Sequence, residues 1–407
     1  MGAETRPSPI RAGCVKAYRG GAGAGHSEGM SPRPNDVTRP TFGIEEEFVL
    51  LDPRTLIAVD RASEAIAALA TDDGGVVGKE FFPSQLEFDS PVLSSADQAL
   101  ASVLGFRTRL RDWADAAALV AAGAGTPFRT RSTSGISADE RYAHIADDIA
   151  GVTADHQING LHVHVGIPDR EYGIRASNLL RIWLPTLLAV SANSPFWHGA
   201  DTGYDSWRAI HSRRWTTFGV PPHFADADEH DLTLRALTGI GATSDPGTIN
   251  WNVRLSARYP TVEVRVFDAQ LDGRSSVALA LITRALVVAA ASETPRMSAV
   301  DVADAALWHA ARFGVRETLV HPGAGELVPA AAAVQALHEF VAPHLADPGE
   351  DRLVDDLFRR VAQDGSGAER QRKAHLRGAG ELAELYRREL AEPAARGVRD
   401  AADALSA

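Results

Sequence analysis

Cysteine is nearly absent from this 407-residue chain: Cys14 stands alone, so no internal disulfide can form, and the count fits a reducing cytoplasm. Basic charge is in deficit. Lys and Arg number 41 against 53 Asp and Glu, a net charge of −12 that excludes the basic footprint of a general nucleic-acid binder. No apolar run is long enough for a bilayer. The best candidate, SVALALITRALVVAAAS (276–292), is short and broken by Arg284, so it predicts a buried amphipathic helix and no membrane association. A Walker-type phosphate loop is also missing, since AAGAG (121–125) has neither the Lys nor the Ser/Thr such a loop needs. The first 38 residues have no apolar stretch of the kind a secretory signal carries. Their richness in Gly, Pro, Ser and Arg predicts a disordered tail, within which Met30 is an alternative start.

The rest of the chain has ordinary globular composition, 45% hydrophobic, and length enough for a substantial core. Helical periodicity runs through 95–120, 176–192, 275–293, 299–313 and most of 328–395. The 95–120 segment opens with Ser95 and has Gln98 three residues on, a capping-box arrangement. Leu100, Val103, Leu104, Leu110 and Trp113 then give it an apolar face. Most other informative segments alternate as strands, with no internal repeat and no linker after residue 40. The expectation is one α+β domain over 39–397, an antiparallel sheet with helices on one face and a helical C-terminal part, followed by a short tail at 398–407.

Several strands share an unusual pattern. TFGIEEEFVLL (41–51) carries three consecutive glutamates, which a strand core does not welcome. Alternate residues of a strand share a face. Glu45 and Glu47 therefore lie opposite Ile44, Glu46 and Phe48, and the triplet is a pair plus an odd neighbour. In SQLEFDS, Gln85, Glu87 and Asp89 oppose Leu86 and Phe88. In NGLHVHVGI, His162 and His164 oppose Leu161, Val163, Val165 and Ile167, with Gly160 and Gly166 leaving room beside the backbone. In INWNVRLS, Asn252 and Arg254 oppose Trp251, Val253 and Leu255; in TVEVRVFD, Glu263 and Arg265 oppose Val262, Val264 and Val266. A merely solvated antiparallel sheet would show Thr, Ser, Lys and Gln on its wet side. Lysine is missing from all of these faces, and Glu, His and Arg are concentrated there.

Such a face suits phosphoryl chemistry. Adjacent carboxylates repel, and burial raises their pKa values; divalent cations relieve that cost. Mg²⁺ takes oxygen ligands and bridges carboxylates to phosphates, with Mn²⁺ an alternative, while arginines hold a phosphoryl group in transfer. The pattern therefore suggests a Mg–nucleotide site. Two other readings stand beside it. His162 and His164 form an H-x-H pair that would suit a zinc hydrolase, and the face would also serve a nucleotide-binding protein without catalysis.

The ordered set GIEEEF, SQLEF, GLHVHVG, SANSPFWHGADTGYDSWR, WNVR and TVEVRVFD resembles the glutamate–cysteine ligase type 2 family of carboxylate–amine ligases, over roughly residues 41–395. The resemblance implies a glutamine synthetase-like catalytic fold, whose antiparallel sheet binds Mg–ATP. It implies that Glu45, Glu47, Glu87, His164 and Glu263 are metal ligands, with His164 also at the ATP phosphates. It makes Arg265 a contact of the transferred phosphoryl, Arg254 a contact of ATP phosphates, and Arg208 and Arg214 neighbours of the substrate; His162 reads as a structural neighbour. Arg265, Arg254 and Arg208 are thus the expected catalytic residues. Two departures touch substrate choice: GTPF (125–128) lacks the histidine of the family's Gly-Thr-His-Pro-Phe, and Trp215 is followed by Thr216 where Pro is frequent.

The implied reaction joins the γ-carboxylate of glutamate to the amine of cysteine through an acyl phosphate, giving γ-glutamylcysteine, ADP and phosphate. The motifs leave open a similar carboxylate in place of glutamate and another amine in place of cysteine. The expected partners are small molecules, and the sequence leaves a homo-oligomer open.

Overall fold

The computed structural model describes residues 39–70, 74–130, 135–244, 246–293 and 301–391. The expected tails at 1–38 and 398–407, with Cys14 and Met30, and the end of the expected domain at 392–397 lie outside the described residues.

The sheet strands are β1 (Phe42–Leu51), β2 (Val76–Lys79), β3 (Gln85–Asp89), β4 (Val120–Ala122) and β5 (Gly160–Gly166). After a small hairpin of β6 (Phe196–Trp197) and β7 (Ala200–Asp201) come β8 (Val253–Leu255) and β9 (Thr261–Asp268). They form one antiparallel sheet in the order β2-β3-β1-β5-β9-β8, with β4 added on β1. The strands with expected polar faces are thus consecutive neighbours, β3-β1-β5-β9-β8, and their polar residues form one continuous surface.

Helices bury the apolar face, chiefly α2, α4 and α7. In chain order the helices are α1 (Ala62–Ala68), α2 (Ala96–Ala116), α3 (Glu140–Ile149), α4 (Arg170–Ser191), α5 (Trp207–His211), α6 (Ala227–Gly239) and α7 (Gly273–Ala289). Then follow α8 (Ala303–Phe313), α9 (Ala330–Val341), α10 (Pro348–Asp364), α11 (Gly367–His375) and α12 (Ala379–Leu390). Ile44, Leu161, Val163, Val165, Val262 and Val264 pack into one cluster with α4 and α7, over which residues of α8, α9 and α10 form an outer layer. Phe48, Leu50, Leu86 and Phe88 pack against Phe106 and Leu110 of α2. Arg284, the interruption in the apolar run, is buried in α7 and paired with buried Glu350 of α10. No helix among the described residues is long and apolar enough to cross a membrane.

Helix α2 begins as expected, with Ser95 Oγ accepting from Gln98 N at 3.3 Å. The reciprocal half of the cap shifts by one residue: Gln98 Oε1 accepts from the Ser94 amide at 2.9 Å. Helix α4 starts before the expected 176, because Asp169 caps it by accepting from Tyr172 N at 2.7 Å. Among the described residues, the helical C-terminal part is four separate helices, with breaks at Pro343, at Pro348, which opens α10, and at Gly365 and Gly378. Two of them, α11 and α12, sit on the polar side of the sheet. Ala374, Leu382, Leu385 and Tyr386 pack on Val49 and Leu51, which continue the Glu45–Glu47 row of β1. They cover one end of that side; beyond it Glu45, Glu87, His164 and Arg265 are partly exposed, and Glu47, His162 and Glu263 are buried.

Candidate active site

Strand register builds the site. Glu45 lies between Asp89 of β3 and His162 of β5, Glu47 stands opposite Glu87, and Glu263 of β9 stands between His164 and Arg254. Residues directly opposite in an antiparallel pair point to the same side at close range. The acidic and histidine side chains of separate strands are thereby forced together.

Glu45 is the hub. Its Oε2 is 3.1 Å from His162 Nδ1 and its Oε1 is 3.0 Å from His164 Nε2. Burial opposes its ionisation, but the hydrogen bonds and charges of the two histidines hold its carboxyl well below the usual range. Burial works against His164 as well, yet Glu45 and Glu263 raise its pKa; His164 Nδ1 lies 2.9 Å from Thr261 Oγ1. His162 is pushed down, first by burial and then by Arg265. Glu47 Oε2 accepts from the Gly160 amide at 2.6 Å.

At the opposite edge of the acidic row, burial and like charges outweigh the compensation. Burial, then the charges of Asp89 and Glu45, raise the Glu87 pKa well above the carboxylate range. Asp89 is pushed up to about 7 by burial and by Glu45, and its buried Oδ1 has no hydrogen-bond partner. Glu80, just past the end of β2, is pushed up to about 8 by burial and by Glu47. Carboxylates held together at such cost fit divalent cations. Among the described residues, three sets of donor atoms lie within 4.8 Å of one another: Glu47, Glu80 and Glu87; Glu45, Glu87 and His162; and Glu45, His164 and Glu263. Each is rich in oxygen donors, and neither set with a histidine contains both His162 and His164. That composition suits Mg²⁺ or Mn²⁺ and disfavours a zinc centre built on the H-x-H pair.

The arginines divide. Arg265 pairs with Glu263 and its Nη1 reaches His162 Nδ1 at 3.5 Å, at the middle of the polar face. Arg254 is occupied: it forks onto Glu263 at 2.8 and 3.0 Å, and its Nη1 donates to the carbonyls of Gly247 and Ile249. As it stands, the guanidinium orients Glu263. Arg214 sits at the rim, 2.5 Å from Asp155 and bonded to His211. Arg208, on α5, is 5% exposed; its Nη2 donates to the Arg265 carbonyl at 3.3 Å, and its Nε and Nη1 have no hydrogen-bond partner.

Every metal ligand expected from the sequence is in this cluster. Glu80 was not anticipated, and its strand shows why. VVGK is short and its Glu falls one residue beyond it, so no alternation marks the side chain. Asp268 was also missed. A β-bulge on β9 sets Leu161 opposite Phe267 but Val163 opposite Val264, so two steps of β5 span three of β9. The extra residue moves Asp268, even-numbered like the apolar valines, to the polar face opposite Gly160, where it is 4.0 Å from Arg208. Glu46 faces away, as parity requires. It is fully buried and takes Arg107 of α2 at 2.6 Å and the Ser276 hydroxyl at 2.5 Å.

This antiparallel face of carboxylates, histidines and arginines, backed by helices, fits the phosphoryl chemistry of a carboxylate–amine ligase. Residues 41–390 match the glutamate–cysteine ligase family 2 pattern, and the chain belongs to that family. It is 37% identical over 347 residues to a protein of Saccharopolyspora erythraea provisionally named glutamate–cysteine ligase 2-2, covering 83% of this chain and 89% of that protein. To a Rhodopirellula baltica protein provisionally named glutamate–cysteine ligase 2 it is 33% identical over 364 residues, covering 87% of this chain and 96% of the other. Among solved structures, a glutamate–cysteine ligase of Francisella tularensis in complex with AMP superposes with a TM-score of 0.62 at 13% identity, covering 87% of this chain and 88% of that one. A bifunctional glutathione synthetase of Pasteurella multocida gives a TM-score of 0.59 at 13% identity; the match covers 87% of this chain and 53% of that longer one.

Proposed function

We propose that this chain is an ATP-dependent glutamate–cysteine ligase, a cytoplasmic enzyme whose single ligase domain spans 39–397. The observation that carries the reading is the convergence of Glu45, Glu47, Glu80, Glu87, His164 and Glu263 into sets of donors beside Arg265. The family and the solved relatives' fold support the same reaction class.

A carboxylate does not react with an amine at neutral pH because its oxygen is a poor leaving group. Transfer of the γ-phosphoryl of ATP to a carboxylate oxygen of the acid substrate releases ADP and makes that oxygen part of a good leaving group. The amine nitrogen, as the free base, then attacks the acyl carbon; the carbon–oxygen bond breaks to release phosphate, and the proton lost from nitrogen leaves with phosphate or to solvent. Divalent cations held by the donor sets would neutralise the phosphate charge. Arg265 stabilises charge on the moving phosphoryl. Arg254 fixes the Glu263 carboxylate, and through it the position of Arg265. Arg208 offers Nε and Nη1, which have no hydrogen-bond partner, to an anionic group of the acid substrate.

The test is ADP and phosphate release from ATP with L-glutamate and a panel of amines that includes L-cysteine, in Mg²⁺, Mn²⁺ or Zn²⁺. Turnover that needs both substrates and Mg²⁺ or Mn²⁺ is expected. Metal-dependent hydrolysis without ATP, or nucleotide binding without turnover for any pair, would contradict the assignment.

A further inference from the structure

The motif SANSPFWHGADTGYDSWR (191–208) supplies one residue, Arg208, to the polar face; its other polar residues have no role in the reaction described above. The structure uses them. Asn193 Nδ2 donates to the carbonyls of Gly123 and Ala269 at 2.8 and 2.6 Å, and its backbone amide donates to Asp268 Oδ2 at 2.8 Å. Ser194 and Ser206 hydroxyls donate to the two oxygens of the same carboxylate at 2.7 and 2.8 Å. The Arg208 amide in turn donates to the Ser194 hydroxyl at 3.0 Å. The whole turn is thus wound around Asp268, and Arg208 is the residue that leaves it for the polar face.

Helix α11 grips the outside of this turn at four points. Gln371 Nε2 donates to Asn193 O at 2.8 Å and Oδ1 at 2.6 Å, while its Oε1 accepts from the Tyr386 hydroxyl of α12 at 2.8 Å. The Ala368 amide donates to Ala192 O at 3.0 Å. Arg372 pairs with Asp201 and fully buried Asp205 and donates to Tyr204 O at 2.7 Å. Gly367 lies so close that a Cβ there would stand 2.1 Å from Asn193 Oδ1. Gln371 and Asn193 are both essentially inaccessible to solvent, and a buried, fully satisfied polar network of this kind fixes geometry.

We propose that α11 is a positioning element for the ligase reaction: through Gln371 and Asn193 it sets the Asp268-centred turn, and thereby the place of Arg208 beside the acid substrate. This rests on the ligase reading above and on Arg208 meeting that substrate. Gln371 touches no reactant; it acts through Asn193, Asp268 and Arg208. The consequence is a dependence of acid-substrate recognition on a helix that lies against the outside of this turn.

The test compares wild type with Gln371→Met, Gly367→Ala and Arg208→Gln, using L-glutamate, L-cysteine and ATP. Met keeps the volume of Gln371 but neither donates nor accepts. Gly367→Ala reaches the same node by pressing on Asn193 and leaves Gln371 intact. Both α11 variants are expected to raise KM for glutamate by about tenfold or more, with KM for ATP unchanged within about twofold, as misplacement at a distance predicts. Lowered melting temperature with unchanged KM for glutamate, measured well below melting, would reduce α11 to a packing element and overturn the proposal. If Arg208→Gln itself leaves KM for glutamate and turnover intact, the underlying reading of Arg208 fails. If Arg208→Gln is crippled while both α11 variants behave as wild type, only the positioning role falls.

Discussion

At the scale of single residues, the three glutamates of β1 do different things because a strand points them to different sides. Glu45 and Glu47 join the donor sets; Glu46 closes a buried ion pair with Arg107, which also donates to the carbonyls of Gln270 and Leu271 at 3.0 Å each. Breaking one partner of a buried pair costs about 3–5 kcal/mol, since the other charge is left uncompensated. Glu46→Gln should therefore keep Mg²⁺-dependent turnover and lose several degrees in melting temperature. Glu45→Gln and Glu47→Gln should show the reverse, folding normally and losing metal-dependent turnover. Inactivity of Glu46→Gln alongside activity of the other two, read from Mg²⁺ titrations and thermal melts, would contradict the register. Arg265 belongs to the same scale. Lysine keeps its charge but not the planar fork, and Arg265→Lys is expected to lower kcat by about 100-fold with little change in melting. Near-normal kcat in the folded variant would remove Arg265 from phosphoryl transfer.

At the scale of elements, much of the site was legible in the sequence because a strand's period of two carries both its core and its chemistry. The polar faces of β1, β3, β5, β8 and β9 could be read from alternation alone, and the bonding order then makes them one surface. Two acids escaped for opposite reasons. Glu80 follows a strand too short to show a period, and Asp268 follows a bulge that reverses the period. Arg254 carried the right residue type, but its occupancy by Glu263 and loop carbonyls is set by a turn that no local pattern specifies. Strand β5 and helix α5 approach closely at Gly160. A Cβ on Gly160 would stand 2.5 Å from Arg208 Nη2 and 3.0 Å from His162 Nε2. Both are side-chain ends that can move aside, so Gly160→Ala should fold. With Arg208 displaced, KM for glutamate should rise about tenfold while KM for ATP holds. Equal losses for both substrates would point to a general distortion of the sheet.

At the scale of the whole molecule, the acidic row couples stability to pH and metal. Asp89 and Glu80 have folded-state pKa values near 7 and 8, raised first by burial and then by Glu45 and Glu47 respectively. A carboxyl whose pKa is raised on folding favours the fold while it stays protonated, and that contribution is lost as pH rises through the folded value. The metal-free protein should accordingly melt several degrees lower at pH 8.5 than at pH 6. Added Mg²⁺ or Mn²⁺ should raise the melting temperature more at the alkaline end, where the ligands need no deprotonation. A melting temperature that rises with pH in chelator, or a metal effect that shrinks toward alkaline pH, would contradict the coupling.

If this face activates a carboxylate by phosphorylating it, one oxygen must pass from the carboxylate to phosphate. Glutamate labelled with ¹⁸O in its γ-carboxylate is turned over with ATP, Mg²⁺ and cysteine, and the released phosphate is analysed by mass. ADP is the expected nucleotide product, with one ¹⁸O delivered to each phosphate formed. AMP as the product, or phosphate that carries no label, would contradict this activation.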